Sequence, residues 1–253
     1  MGQKLSDRST CSVSLQGVDS VKRPVKYGVP QGSVIGPVLF TLYIAPLRHI
    51  LKKHHISYHF YADDIQLYLP FSWTVPGDHE SAHQRLQTCI TEINNWMAVN
   101  SLVINQSKTE FLYIQSDRHH RVHKKTPLSV GDCLIFPSEK VKDLGIILDE
   151  RLSMKQQISA VVSQCHYQLR KIGRVRKNLT YAACHSAMRS AILARLDYCN
   201  SLLSNVGAVQ VARLQRVQNS AARIISLKRK DESISPTLDS LHWLRVKNRI
   251  IFK

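Results

Sequence analysis

The sequence predicts an α+β protein, an antiparallel sheet with helices over residues 1–150 followed by a helical bundle over residues 151–253. Three observations predict it. Short runs in the first part alternate apolar and polar residues with period two, whereas from Ser153 onward the apolar residues recur at helical spacing. The charge regime also changes near residue 150: residues 1–150 carry 16 Lys and Arg against 14 Asp and Glu, and residues 151–253 carry 19 against 4. A chain of 253 residues that is 43% hydrophobic can bury one good core and a second small one, so one or two domains are expected. A formal charge of +17 calls for an anionic polymer or an anionic membrane surface as partner. Its concentration in one helix-patterned region favours nucleic acid over a merely solvated helical surface.

Residues 10–28 alternate around Val13, Leu15 and Val18 and then Val21, Val25 and Tyr27, which predicts a strand, a turn and a second extended piece. Ser33 is placed to cap a helix reaching about Lys52, with Pro37 tolerated in its first turn. Val38, Leu39, Leu42, Tyr43, Leu47, Ile50 and Leu51 give that helix a broad apolar face, so it is expected to be mostly buried. Residues 56–61 and 65–69 are β-rich and joined by Ala62-Asp63-Asp64, a hairpin with both acids at its tip. A helix is predicted over 79–99, and strands over 102–104 and 111–114. Residues 116–126 lack an apolar period and read as an exposed, His- and Lys-rich loop, and strands over 128–136 and 143–149 close the region. Beyond it, helices are predicted over 154–176, 180–195 and 206–227, with a last one after Pro236. Their common core is expected from Ile158, Val161, Leu169, Ile192, Leu196, Leu214, Val217 and Ile224.

Several classes of protein are disfavoured. The six cysteines form no C-x-x-C pair and read as reduced intracellular thiols. The neighbours Cys165-His166 and Cys184-His185 diverge by about 100° around a helix, which suits tetrahedral zinc poorly. The longest apolar run, residues 34–47, is too short to span a bilayer and carries Pro37 and Pro46, and no secretory signal is recognisable. An intracellular protein, nuclear or cytoplasmic, without stable membrane association is expected. The opening Met1-Gly2-Gln3-Lys4-Leu5-Ser6 fits the permissive myristoylation pattern, yet one such chain anchors only marginally.

Two adjacent carboxylates, Asp63 and Asp64, repel each other unless a cation neutralises them. Magnesium keeps most of its waters and takes only one or two protein carboxylates plus phosphate oxygens, so a pair on a rigid turn is a plausible half of a two-metal site. A polar turn in which Asp merely suits the geometry is the plainer explanation of an isolated Tyr-Ala-Asp-Asp.

The tetrapeptide is not isolated. Gly28-Val29-Pro30-Gln31-Gly32-Ser33-Val34-Ile35-Gly36-Pro37 followed by Leu39-Phe40 closely resembles the segment that precedes the catalytic hairpin in reverse transcriptases of non-LTR retrotransposons, the long interspersed elements. Tyr61-Ala62-Asp63-Asp64 stands at that family's distance downstream, and Asn105 with Lys108-Thr109-Glu110 resembles its next motif. Leu144-Gly145 followed by Leu152-Ser153 looks like the primer-grip region, and the segments 195–203 and 241–244 resemble the thumb and post-thumb regions.

The resemblance implies an incomplete polymerase palm over 1–150 and a basic helical thumb over 151–253. It implies an RNA template, a DNA primer and deoxynucleoside triphosphates as partners, and two Mg2+ ions, with Mn2+ as the alternative. Asp63 and Asp64 would hold the metals, and Lys108 would stabilise charge or donate a proton at the leaving pyrophosphate. The plainer reading of Lys108 is a surface lysine beside Glu110. Gly28, Gln31, Gly32 and Tyr61 would line the template and the incoming nucleotide. In the thumb, Arg170, Lys171, Arg174, Arg176 and Lys177 form a basic cluster suited to phosphates, as do Arg213, Arg216 and Arg223 on a later helix.

One departure matters. The family's palm has a further metal-binding Asp on an apolar strand upstream of Gly28, where this sequence offers only Asp7 and Asp19, neither in such a setting. The chain is therefore expected to be the later part of a longer polymerase, inactive alone, with a non-catalytic nucleic-acid-binding remnant as the alternative.

Overall fold

The alternating start of the chain folds as a nested antiparallel hairpin in the computed structural model, which describes residues 10–24, 32–115 and 125–252. Strand β1 (Thr10–Cys11) pairs with β4 (Arg23–Pro24), and inside them β2 (Ser14–Leu15) pairs with β3 (Val18–Asp19). Gln16 and Gly17 make the turn, both at positive φ (50° and 82°), the handedness that matches strand twist. Val13, Leu15 and Val18 on this hairpin are all exposed. The expected second extended piece runs on into Val25 and Tyr27, which lie outside the described residues, as do Met1, Gly2 and Asp7.

The single helix predicted to start at Ser33 is instead two, α1 (Gly36–Ile44) and α2 (Leu47–Lys53). Pro46 is the reason: it has no N–H to donate and its ring crowds the preceding turn, so the chain breaks at Ala45-Pro46. Ile35, not Ser33, occupies the capping position, and the Ser33 carbonyl accepts from Gly36 N at 3.2 Å. Expected burial also fails for α1, where only Ile44 is buried while Val38 and Leu42 are 60% and 65% exposed. Apolar residues surround α1 on every side, so seating one side on a core leaves the others open.

Strands β5 (Ser57–Tyr61) and β6 (Asp64–Tyr68) form the expected hairpin, and α3 (Asp78–Val99) the expected helix. Ile44, Leu47, Leu51, Ile56, Cys89, Ile93 and Met97 pack as one core, with Phe60 and Ile65 of the hairpin resting on it. Glu92 of α3 accepts from Lys53 at 2.9 Å and pairs with His54 at 2.8 Å, which fixes the end of α2. The strands expected over 102–104 and 111–114 do not form: the three-ten turn Gln106–Lys108 lies between the two segments, and within them, among the described residues, only Phe111 makes a bridge, to Pro137. The strand expected over 128–136 divides at Gly131 (φ 58°) into β7 (Leu128–Val130) and β8 (Cys133–Ile135). β9 (Lys140–Asp143) and β10 (Ile146–Asp149) pair antiparallel about Leu144 and Gly145, both at positive φ.

The helical region comprises α4 (Lys155–Val175), α5 (Tyr181–Met188), α6 (Ala194–Asp197), α7 (Ala208–Ser226), α8 (Ser235–Ser240) and α9 (Val246–Phe252). A π-turn, Arg189–Leu193, joins α5 to α6. Of the expected core, Ile158, Leu169, Ile192, Leu196, Leu214 and Val217 are buried, and Val161 and Ile224 are half-buried against them. The last expected helix is two, parted by His242 at φ 54°.

The chain divides into two compact units, Met1–Gln106 with Ser129–Cys133 and Ser107–Leu128 with Leu134–Lys253. The second unit thus takes in the β9–β10 hairpin, whose Ile146 sits in the helical core. The fold is α+β, and no helix among the described residues is long and apolar enough to cross a membrane.

Asp149 secures the hairpin to the bundle. Its buried carboxylate accepts from Arg151 N, Ser153 N, Ser153 Oγ and Met154 N at 3.0 to 3.2 Å, closing the turn into α4. Burial alone would raise its pKa, but these hydrogen bonds more than offset that and hold it below the ordinary aspartate value. Its stabilisation is therefore present above the ordinary value and lost as pH falls through the depressed one. Asp149→Ala should cost about 3 kcal/mol in chemical denaturation, with wild type and Asp149→Asn converging at acid pH. A pH-independent gap between those two would refute the charged role.

Candidate functional site

The β5–β6 register runs from Ser57 opposite Tyr68 to Tyr61 opposite Asp64. That register leaves Ala62 and Asp63 as the turn, so only Asp63 is at the tip and Asp64 opens the second strand, a correction to the expected tip pair. Ala62 holds φ 53°, a left-handed conformation that costs a residue with a Cβ roughly 1 kcal/mol. Phe60 and Ile65 anchor the strands below it, so the turn rides on a packed base. Tyr61, Asp63 and Asp64 are exposed, and among the described residues neither carboxylate has a hydrogen-bond or ion-pair partner. Two unneutralised oxygen donors suit a hard divalent cation that keeps water ligands. Among the described residues no three His, Cys, Asp or Glu side chains gather into a metal site.

Gly32 is exposed at φ 88°, a conformation open to glycine alone at little cost, while Gly28 and Gln31 lie outside the described residues. Lys108 ends the three-ten turn and is exposed in the second unit, whereas the acid pair belongs to the first. Glu110 accepts from the Lys142 backbone N–H at 3.0 Å.

In the second unit, α4 and α7 flank an open groove of about 1100 Å³. Arg174, Arg176, Lys177, Arg213, Arg216 and Arg223, six of the eight expected phosphate residues, line it, and Lys228 and Lys230 join them. No carboxylate lines it among the described residues. The gathering follows from the sequence, because the buried stripes of α4 and α7 face each other and turn their basic flanks to the same opening. The cations are not equivalent. Arg174, Lys177, Lys228 and Lys230 have no side-chain partner among the described residues. Arg213 donates to Gln210 and to Ser159 Oγ, at 2.8 and 3.1 Å, and Arg223 holds the carbonyls of Arg229, Lys230 and Glu232.

Arg176 is committed more deeply. Its guanidinium donates to the carbonyls of Ile224, Ile225 and Leu179 at 2.8 to 3.0 Å, capping the C-terminal end of α7. Arg176→Ala should lower stability by about 2 to 3 kcal/mol, and Arg176→Lys should recover little of it, as read by urea denaturation. Arg170 and Lys171 are exposed on α4 but do not line the groove, and Lys171 Nζ lies 5.3 Å from the Tyr167 ring centre.

Sequence reasoning missed Lys228 and Lys230, although the run Lys228-Arg229-Lys230 was a visible signal. It also missed Tyr198, whose hydroxyl donates to the Leu144 carbonyl at 2.6 Å and steadies the β9–β10 turn. Nothing in the chain's periodicity could pair residues so far apart. All six cysteines are free thiols, and burial pushes Cys89 and Cys165 up to about 11, which leaves them unreactive at neutral pH.

Residues 4–148 match the reverse transcriptase (RNA-dependent DNA polymerase) family. A probable RNA-directed DNA polymerase from transposon BS of Drosophila melanogaster is 26% identical over 215 residues, 82% of this chain and 23% of that protein. One from transposon X-element of the same organism is 21% identical over 224 residues, 85% of this chain and 23% of that protein. The RNA-directed DNA polymerase from mobile element jockey of Drosophila funebris is 24% identical over 155 residues, 59% and 16% of the two chains. The chain spans less than a quarter of the length of these relatives.

Proposed function

This chain belongs to the reverse transcriptase family, and from that premise we propose that it is the palm-to-thumb portion of an RNA-directed DNA polymerase of the non-LTR retrotransposon type. In this reading the first unit carries the acidic hairpin of the palm, and the α4–α7 groove is the thumb surface that grips the phosphates of primer and template.

The groove is the observation that carries the reading. Among the described residues eight cations surround one opening without a carboxylate and repel each other, and a phosphate backbone is the polymer that relieves the repulsion while demanding no base sequence. On the hairpin, Asp63 and Asp64 would hold divalent cations, Mg2+ by their hard oxygen character. Such ions, when bound, neutralise the triphosphate and lower the pKa of the attacking 3′-hydroxyl. The protein's own part is to keep the two carboxylates on a packed hairpin turn, where among the described residues no other group competes for them. Gly28, Gln31, Gly32 and Tyr61 would line the nucleotide and template, and Lys108 would offset charge on the departing pyrophosphate.

The testing experiment is binding of primer–template by residues 1–253 across a salt series. A steep fall in affinity with salt is expected, and weak, salt-insensitive binding would refute the reading. Without further protein, residues 1–253 are expected to bind primer–template and not extend it, because only two carboxylates stand at the hairpin among the described residues. Magnesium-dependent nucleotide incorporation by the purified chain would overturn that expectation.

A further inference from the structure

We propose that Arg223 serves the basic groove as a positioning residue rather than as a phosphate contact: it ties down the loop after α7, so that Lys228 and Lys230 stand ready in the groove. The inference rests on the nucleic-acid reading above and goes beyond it by separating the cation that organises the groove from those that meet the ligand. By sequence Arg223 is simply the third arginine of one helix, after Arg213 and Arg216. Its hydrogen bonds give it another task.

Arg223 stands in the last turn of α7, which ends at Leu227 in a left-handed conformation, φ 56°. That conformation stops the helix and redirects the chain. Residues 228–234 then form neither helix nor strand, and backbone of that kind costs entropy to hold in one place. Arg223 reaches past the helix end to hold it. Its Nε donates to the Arg229 carbonyl at 3.2 Å, and its Nη2 donates to the carbonyls of Lys230 and Glu232, each at 3.3 Å. Glu232 Oε1 closes the loop from within by accepting from Arg229 N at 2.7 Å.

The loop so held carries Lys228 and Lys230, one on either side of Arg229. Both line the groove, and neither has a side-chain partner among the described residues. A guanidinium offers five N–H donors in a fixed fork, and three of those on Arg223 are spent on loop carbonyls. An ammonium is a point charge without that fork, so lysine at position 223 keeps the charge and loses the tether. Two untethered lysines must then be ordered when the phosphates arrive, and that ordering costs affinity. Charge and position therefore predict different outcomes for the same substitution.

The test measures primer–template affinity of the full chain in a double-mutant cycle. Arg223→Lys should weaken binding roughly tenfold, but less than about twofold when Lys228→Ala and Lys230→Ala are already present, because the tether then holds nothing that binds. Glu232→Ala, which leaves α7 untouched, should weaken binding roughly threefold even though it removes a negative charge. Trypsin cleavage within 228–230, identified by fragment mass, should quicken in both variants while the urea midpoint stays in place. Should Arg223→Lys lower that midpoint, Glu232→Ala alone decides. Unchanged affinity in Arg223→Lys, an equal loss in the two backgrounds, or unchanged or tighter binding by Glu232→Ala would overturn the proposal while leaving the groove reading intact. Failure of the unaltered chain to bind primer–template would overturn both.

Discussion

Changing Arg174, Lys177 and Arg216 together to alanine should flatten the salt dependence of primer–template binding by about 2.7 on a log–log plot, about 0.9 for each phosphate that is no longer neutralised. Affinity at low salt should fall roughly a hundredfold. These three are chosen because Arg174 and Lys177 have no internal partner among the described residues, and Arg216 reaches only the Ala212 carbonyl of its own helix, at 3.4 Å. Removing them takes charge from the groove without unpicking the fold. Arg170→Ala with Lys171→Ala is the control, since neither residue lines the groove, and it is compared charge for charge because it removes two cations and not three. Equal flattening by the control would mean that overall charge, not this groove, holds the nucleic acid. An unchanged slope in the triple variant would exclude the α4–α7 surface altogether.

The second large effect belongs to the hairpin. In a longer form of the protein that extends primers, Asp63→Asn should reduce incorporation by roughly three orders of magnitude or more, as loss of a metal-holding carboxylate does, while primer–template affinity stays in place. Asn preserves the size and hydrogen-bonding edge of the side chain, so a loss confined to turnover reports charge and metal ligation. Lys108→Ala should slow incorporation less, because it removes one stabilising charge and no ligand. Substantial activity in Asp63→Asn would sink the assignment of this carboxylate to the metals. Parallel loss of affinity and turnover would point instead to a collapsed turn at Ala62, where the backbone already carries strain.

How much of this was legible in the chain differs from element to element. The helix over Asp78–Val99 and the hairpin Ser57–Tyr68 appear where periodicity puts them, because long amphipathic and alternating patterns leave little choice of conformation. Buried positions of the bundle, from Ile158 to Val217, could be read for the same reason. Pro46 was equally visible, yet the apolar run around it suggested one buried helix where there are two, the first largely exposed. Composition reports that a segment is apolar, and only the neighbours decide whether anything covers it.

By itself, then, the sequence determined the α+β class, the family, the pair Asp63 and Asp64 on one hairpin and the concentration of positive charge after residue 150, all properties of local pattern and composition. Tertiary structure decided which cations share an opening and which are committed elsewhere. Arg174 and Arg176 are two residues apart in the same basic run, yet one is unpartnered among the described residues and the other caps α7 through the carbonyls of Ile224 and Ile225, nearly fifty residues away. A guanidinium is drawn to unpaired carbonyls wherever folding brings them within reach, and that reach is set by the packing of α4 against α7, which no local pattern encodes.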